Sequence, residues 1–233
     1  MVREKVGVVF VTLHVRAATV GLLGVCVLMI VACAAPTPPA SGPPSGGGST
    51  PATTPVPSPA PSAEDTQATL VAASRAVLRA IQSEDASALA ALVHPTKGVR
   101  FSISAHVDVQ HDVVMQRAQL ADFWTSSKIY RWGVQDATGD PIRSTPATFS
   151  KNYLDDRNYL SDAILTVNAD RGSGTVLSNI SKVYPGASHV EYFVEPTMVG
   201  GQPGNDWKAV RLVFERLGDT WFLVGVVHAE WTV

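Results

Sequence analysis

Residues 207–233 read WKAVRLVFERLGDTWFLVGVVHAEWTV. Two runs rich in β-branched and aromatic residues, 207–217 and 221–233, flank Gly218-Asp219, a strong signal for a tight hairpin turn. In the second run Trp221, Leu223, Val227, Trp231 and Val233 share one face, and Phe222, Val224, Val226, His228 and Glu230 share the other. Both faces are largely apolar, which predicts a central strand covered on both sides. On a two-residue turn Arg211 faces Val226, one diagonal step from His228. Arg211, His228 and Glu230 are therefore expected to form one polar cluster among apolar neighbours, read either as a pocket lining or as a structural hydrogen-bonded network. Upstream, 175–184 and 188–195 read as two more strands, separated by Pro185-Gly186.

The N-terminal side of the same region has a different period. Over 64–83, Leu70, Val77, Leu78 and Ile81 are spaced as on one face of a helix. Asp85 is placed to cap a second short helix carrying Leu89, Leu92 and Val93, and Pro95 ends it. From Arg100 to Gln110 the period becomes two: Phe101, Ile103, Ala105, Val107 and Val109 alternate with polar residues, predicting a half-buried strand. Asp112 is placed to cap a third helix holding Leu120, Phe123 and Trp124. Thr145-Pro146 opens a helix running to about Asp155, with Phe149 and Tyr153 on one face. Helices first and strands afterwards make an α+β class, with N-terminal helices packed on a curved antiparallel sheet.

The globular part is expected to be 64–233. It carries 15 Lys and Arg against 19 Asp and Glu, so it has no basic footprint for nucleic acid. No cysteine lies beyond Cys33, which excludes a disulfide framework.

Outward from that domain, 34–63 contains 10 Pro and 4 Gly, with Ala, Ser and Thr making up nearly all the rest. Such a stretch cannot bury enough apolar surface to offset its ordering entropy and reads as a disordered linker. Its reach is between ~30 Å as a coil and ~90 Å fully extended. Residues 1–32 read as a signal peptide: Arg3, Lys5 and Arg16 precede an uncharged apolar run over 17–32, short of the ~20 residues a spanning helix needs. That run ends in Ile30-Val31-Ala32-Cys33, which resembles a bacterial lipobox. The resemblance implies cleavage before Cys33 and lipidation of its thiol, hence an anchor on the extracytoplasmic face of a bacterial membrane. Acyl chains in combination hold a protein on a bilayer stably.

Ile81, Asp85, Leu89 and Leu92-Val93-His94-Pro95 resemble the opening helices of the NTF2-like (nuclear transport factor 2-like, cystatin-like cone) superfamily. Residues 211–215 and 221–225 resemble its closing strands. Segments 94–102, 132–133, 139–142, 206–207, 212–214 and 228–232 also resemble a family of uncharacterised bacterial lipoproteins. The resemblance implies an NTF2-like cone. It leaves function open, because such cones host isomerases, dehydratases, hydrolases and plain binding or assembly modules.

His106, Asp108 and His111 form an H-x-D-x-x-H pattern. His106 and Asp108 share a strand face, a spacing that a metal or a His–carboxylate pair could use, although such a face is ordinarily just solvated. His94, before Pro95, marks either a ligand-facing loop or a structural turn. No phosphate loop, nucleophile elbow, metalloprotease helix or C-x-x-C is present, so no cofactor, metal or catalytic residue is assigned. The expectation is a membrane-anchored, non-enzymatic module that binds an envelope protein or a small apolar ligand. The alternative is a small-molecule isomerase, dehydratase or hydrolase.

Overall fold

In the computed structural model the described residues are 62–172 and 174–232. The readings of 1–32 as signal peptide and 33–63 as lipidated Cys33 plus linker therefore lie almost wholly outside them. Helix α1, Ala63–Gln82, begins where Ser62 Oγ accepts the Asp65 N–H at 3.1 Å, in a capping box. It buries Leu70, Ser74, Val77, Leu78 and Ile81. Asp85 caps α2, Ala86–Leu92, by accepting the Ala88 N–H at 2.9 Å.

The remaining elements follow in order: β1 (Val99–Ser102), β2 (Val113–Met115), α3 (Arg117–Leu120), β3 (Tyr130–Val134), β4 (Pro141–Ser144) and α4 (Pro146–Phe149). A π-helical turn, Ser150–Leu154, continues α4. Then come α5 (Tyr159–Asp162), β5 (Ile164–Val167), α6 (Ile180–Val183), β6 (Ser188–Val194), the short strands β7 (Met198–Val199) and β8 (Gln202–Pro203), β9 (Lys208–Leu217) and β10 (Thr220–Glu230). Six strands form one curved sheet in the order β2-β1-β10-β9-β6-β5, antiparallel except where β1 runs parallel to β10. The chain is thus α+β, with α1, α2 and α5 packed on one face of a mostly antiparallel sheet and α6 on the other. Among the described residues no helix is long and apolar enough to cross a membrane.

Three expectations fail locally. Residues 103–110 do not extend β1, because their backbone is satisfied by side chains rather than by a neighbouring strand. Asn179 Oδ1 accepts the Val107 N–H at 2.8 Å and its Nδ2 donates to Val107 O at 3.0 Å. Asp112 does not cap a helix: its carboxylate accepts Ser102 Oγ–H and the Asp108 N–H, and β2 follows it. The stretch 175–184 is not a strand. Ile180–Val183 form α6, whose Ile180 joins Val107, Val213, Val224 and Val227 in an apolar cluster.

The main core lies between the helices and the sheet. Phe101, Phe123, Trp132 and Phe149 are all essentially fully buried. Trp132 and Phe149 stack at 3.8 Å between ring centroids, and Phe101 meets both rings edge-on. Edge-on and stacked aromatic pairs add about 0.5–1.5 kcal/mol each beyond their area burial. This column continues through Tyr153 to His228.

Candidate functional site

The β9–β10 hairpin turns at Gly218-Asp219, with Leu217 opposite Thr220 as the sequence predicts. The register then shifts by one at a β-bulge between Leu223 and Gly225. Arg211 therefore faces Val227 rather than Val226, and His228 faces Val210. The expected Arg211–His228–Glu230 cluster becomes two groups on opposite faces of the sheet. His106 and Asp108 belong to neither.

On the face away from the core, Arg211 is buried against Glu191, with Nε 2.8 Å from Glu191 Oε2 and 3.2 Å from Asp170 Oδ1. Its Nη2 donates to Gly172 O at 2.8 Å. Glu191 also accepts the Gly172 N–H, and His189 Nε2 sits 2.8 Å from Asp170 Oδ1. Burial pushes the Asp170 carboxyl up, but His189 and Arg211 outweigh it and hold it below its ordinary value. This group fastens the loop around 168–172 to the sheet.

On the core face, His228 is fully buried with Nε2 3.5 Å from Asp156 Oδ2. Tyr159 donates its hydroxyl to Asp156 Oδ1 at 2.7 Å. Lys208 is shared between Asp156 and Glu230, its Nζ 3.0 Å from Glu230 Oε2. Burial would raise the Asp156 carboxyl, yet His228, Lys208 and Tyr159 together hold it well below the usual carboxylate range. The Tyr153 ring stands edge-on to His228 at 5.3 Å between centroids. Burial, and then the nearby Glu230 charge, push the Tyr153 hydroxyl up.

Outside Tyr153 and Glu230 opens a cleft of about 260 Å³. Trp207, Trp231 and Tyr153 supply its aromatic surface, Ile103, Val134 and Ile142 its aliphatic wall, and Glu230 and Asp136 its charges. Trp207 lies directly on the backbone of the loop that Arg211 fastens. A Cβ placed at Gly172 would come within 2.7 Å of that indole. The sequence pattern places Glu230 in a polar cluster but does not single out Trp207, Asp136 or Asp156 as site residues. The first two come from connections flanking β9 and β3, and the third follows the π-helical turn.

The remaining candidates are structural in their contacts. Asp108 pairs with His111, whose Nδ1 is 2.7 Å from Asp108 Oδ2 on an exposed turn. That hydrogen bond is the main cause of the lowered Asp108 carboxyl. His106 instead accepts from Asn179 Nδ2 at 3.2 Å, so His106 and Asp108 form no pair. His94 Nδ1 accepts the Lys97 N–H at 3.1 Å, which makes it a turn residue. Among the described residues no three His, Cys, Asp or Glu side chains come together as a metal site would require.

Solved structures similar to this chain include an NTF2-like protein with a cystatin-like fold from Novosphingobium aromaticivorans, at 12% identity, covering 72% of this chain and 82% of that one with a TM-score of 0.33. An NTF2-like superfamily protein from Salmonella enterica is 12% identical, covers 74% and 95%, and has a TM-score of 0.37. The CamKII hub homology domain of Chlamydomonas reinhardtii is 13% identical, covers 70% and 97%, and has a TM-score of 0.33. Likeness at this level says nothing about chemistry, and the architecture stands on the strand order and helix packing themselves. No protein-family profile matches the chain. No curated protein matches it either.

Proposed function

We propose that this chain is a bacterial envelope lipoprotein, held on the extracytoplasmic face of a membrane through lipidated Cys33. Its linker then carries a non-enzymatic, NTF2-like binding domain. The anchor reading is supported by the positive start, the apolar run over 17–32 and Ile30-Val31-Ala32-Cys33, followed by a Pro-rich linker. The observation that carries the binding reading is the aromatic cleft, which offers apolar surface and a few polar groups but is closed off from the buried His228–Asp156 pair by Tyr153. Mass spectrometry of the mature N-terminus tests the anchor. Wild type should begin at a diacylglyceryl Cys33 and Cys33→Ser should accumulate as precursor. A wild-type peptide retaining Met1 to Ala32 overturns it.

A second reading, a small-molecule isomerase, dehydratase or hydrolase, draws on one observation: His228 and Asp156 lie side by side in a desolvated site just behind the cleft. An enzyme using that pair must expose it. Diethylpyrocarbonate labelling separates the two readings. The binding reading expects exposed His111 to react and His228 to stay unmodified in the folded protein, whereas comparable labelling of His228 favours the enzyme.

A further inference from the structure

Resting on the binding reading above, we infer that the cleft takes a small organic ammonium ion. The charges that line it are all of one sign. Glu230 and Asp136 face it, and no Lys, Arg or His lines it among the described residues. Beneath Glu230, the single ammonium of Lys208 is divided between two carboxylates, Asp156 and Glu230. Asp136 makes no ion pair among the described residues. The rest of the wall is aliphatic and aromatic, and Tyr153, Trp207 and Trp231 supply the aromatic part. Aromatic faces attract a cation through the ring quadrupole, and the attraction grows where the cation is desolvated.

A neutral apolar guest would strip water from Glu230 and Asp136 and give nothing back, and an anion would add repulsion. A cation with a short hydrocarbon body satisfies both the carboxylates and the rings. At about 260 Å³ the cleft sits just below the usual range for drug-sized ligands, so the ion is small.

The test uses the full-length chain in detergent and three probes of one shape: choline, the neutral 3,3-dimethylbutan-1-ol and the anionic 3,3-dimethylbutanoate. Tryptophan fluorescence and calorimetry follow binding. Choline should give a saturable signal, with the neutral and anionic probes at least tenfold weaker. Glu230→Gln and Asp136→Asn should each weaken choline several-fold while leaving the unfolding transition in place. If the neutral or anionic probe binds as tightly as choline, the charge class is wrong and the cleft remains a ligand site. If none of the three gives saturable binding, the cleft is no ligand site and the binding reading falls with the inference.

Discussion

Arg211 and His228 lie on opposite faces of the sheet, although a simple two-residue hairpin would set them diagonally on one. The cause is a single extra residue at the bulge between Leu223 and Gly225. It turns Val224 and Val227 outward to the cluster with Ile180 and leaves Leu223 and Val226 on the main core. Two buried ionic groups result where the sequence suggested one. Arg211 fastens a loop on one side of the cleft, and His228 with Asp156 supports Tyr153 beneath it.

Arg211→Ala should be among the most damaging single changes in the domain. It leaves the Glu191 carboxylate buried without its cation, and breaking such a pair costs about 3–5 kcal/mol. The double variant Arg211→Met with Glu191→Met should recover much of that loss, because it removes both charges. Urea unfolding of the single and double variants checks this. A double variant no more stable than the single one would count against the ion pair as the cause.

How much of this was legible in sequence depends on what each residue's partner is. Ser62 and Asp85 cap helices through neighbours three residues away, so α1 and α2 read off directly. Gly218-Asp219 dictates its own turn. The bulge has only one local sign, Gly225 inside the strand; the flanking Leu223, Val224, Val226 and Val227 are apolar, so their pattern does not choose between the two registers. Residues 103–110 keep much of the predicted alternation, with Ala105 and Val107 buried and His106 exposed, yet Asn179 replaces the partner strand from far along the chain. Asp156 joins the site because Lys208, His228 and Tyr159 converge on it from three separate elements.

Asn179→Ala should release that segment. Its amide satisfies both the N–H and the C=O of Val107, and leaving buried polar groups unpaired costs about 1–3 kcal/mol. The expected signature is local: faster amide hydrogen exchange at Val107, with the β6, β9 and β10 amides little changed. Uniformly faster exchange across the sheet would contradict the local role.

Asp156→Asn should destabilise the domain at neutral pH and lose that effect in acid. The Asp156 carboxyl is held below its ordinary value of 3.8, net of a burial effect that works the other way. Its contribution is therefore present above about pH 4 and disappears as the pH falls through the depressed value. Thermal melts of wild type and variant should differ at about pH 7 and converge at strongly acid pH. A gap that persists unchanged into acid would mean that packing, not the charge, is what the variant removes.

Asp112→Asn should do the opposite. Burial pushes the Asp112 carboxyl up from 3.8 to about 6, against the lowering effect of the bonds it accepts from Ser102 and the Asp108 N–H. A group whose folded value is raised binds its proton more tightly in the native state. Its favourable contribution is thus complete below the unfolded value and is lost as the pH rises through about 6. Above that, wild type carries a partly desolvated negative charge that the amide lacks, while the amide oxygen can still accept from Ser102 and Asp108. With solvent screening of this half-buried group allowed for, the variant should be more stable by about 1–2 kcal/mol at neutral pH. The difference should shrink steadily below the raised value and vanish near the ordinary one. Melting temperatures measured across that range decide it. A variant less stable than wild type at every pH would mean that the bonds to Ser102 and Asp108 need the full carboxylate, and that the charge at Asp112 holds the 103–112 segment together.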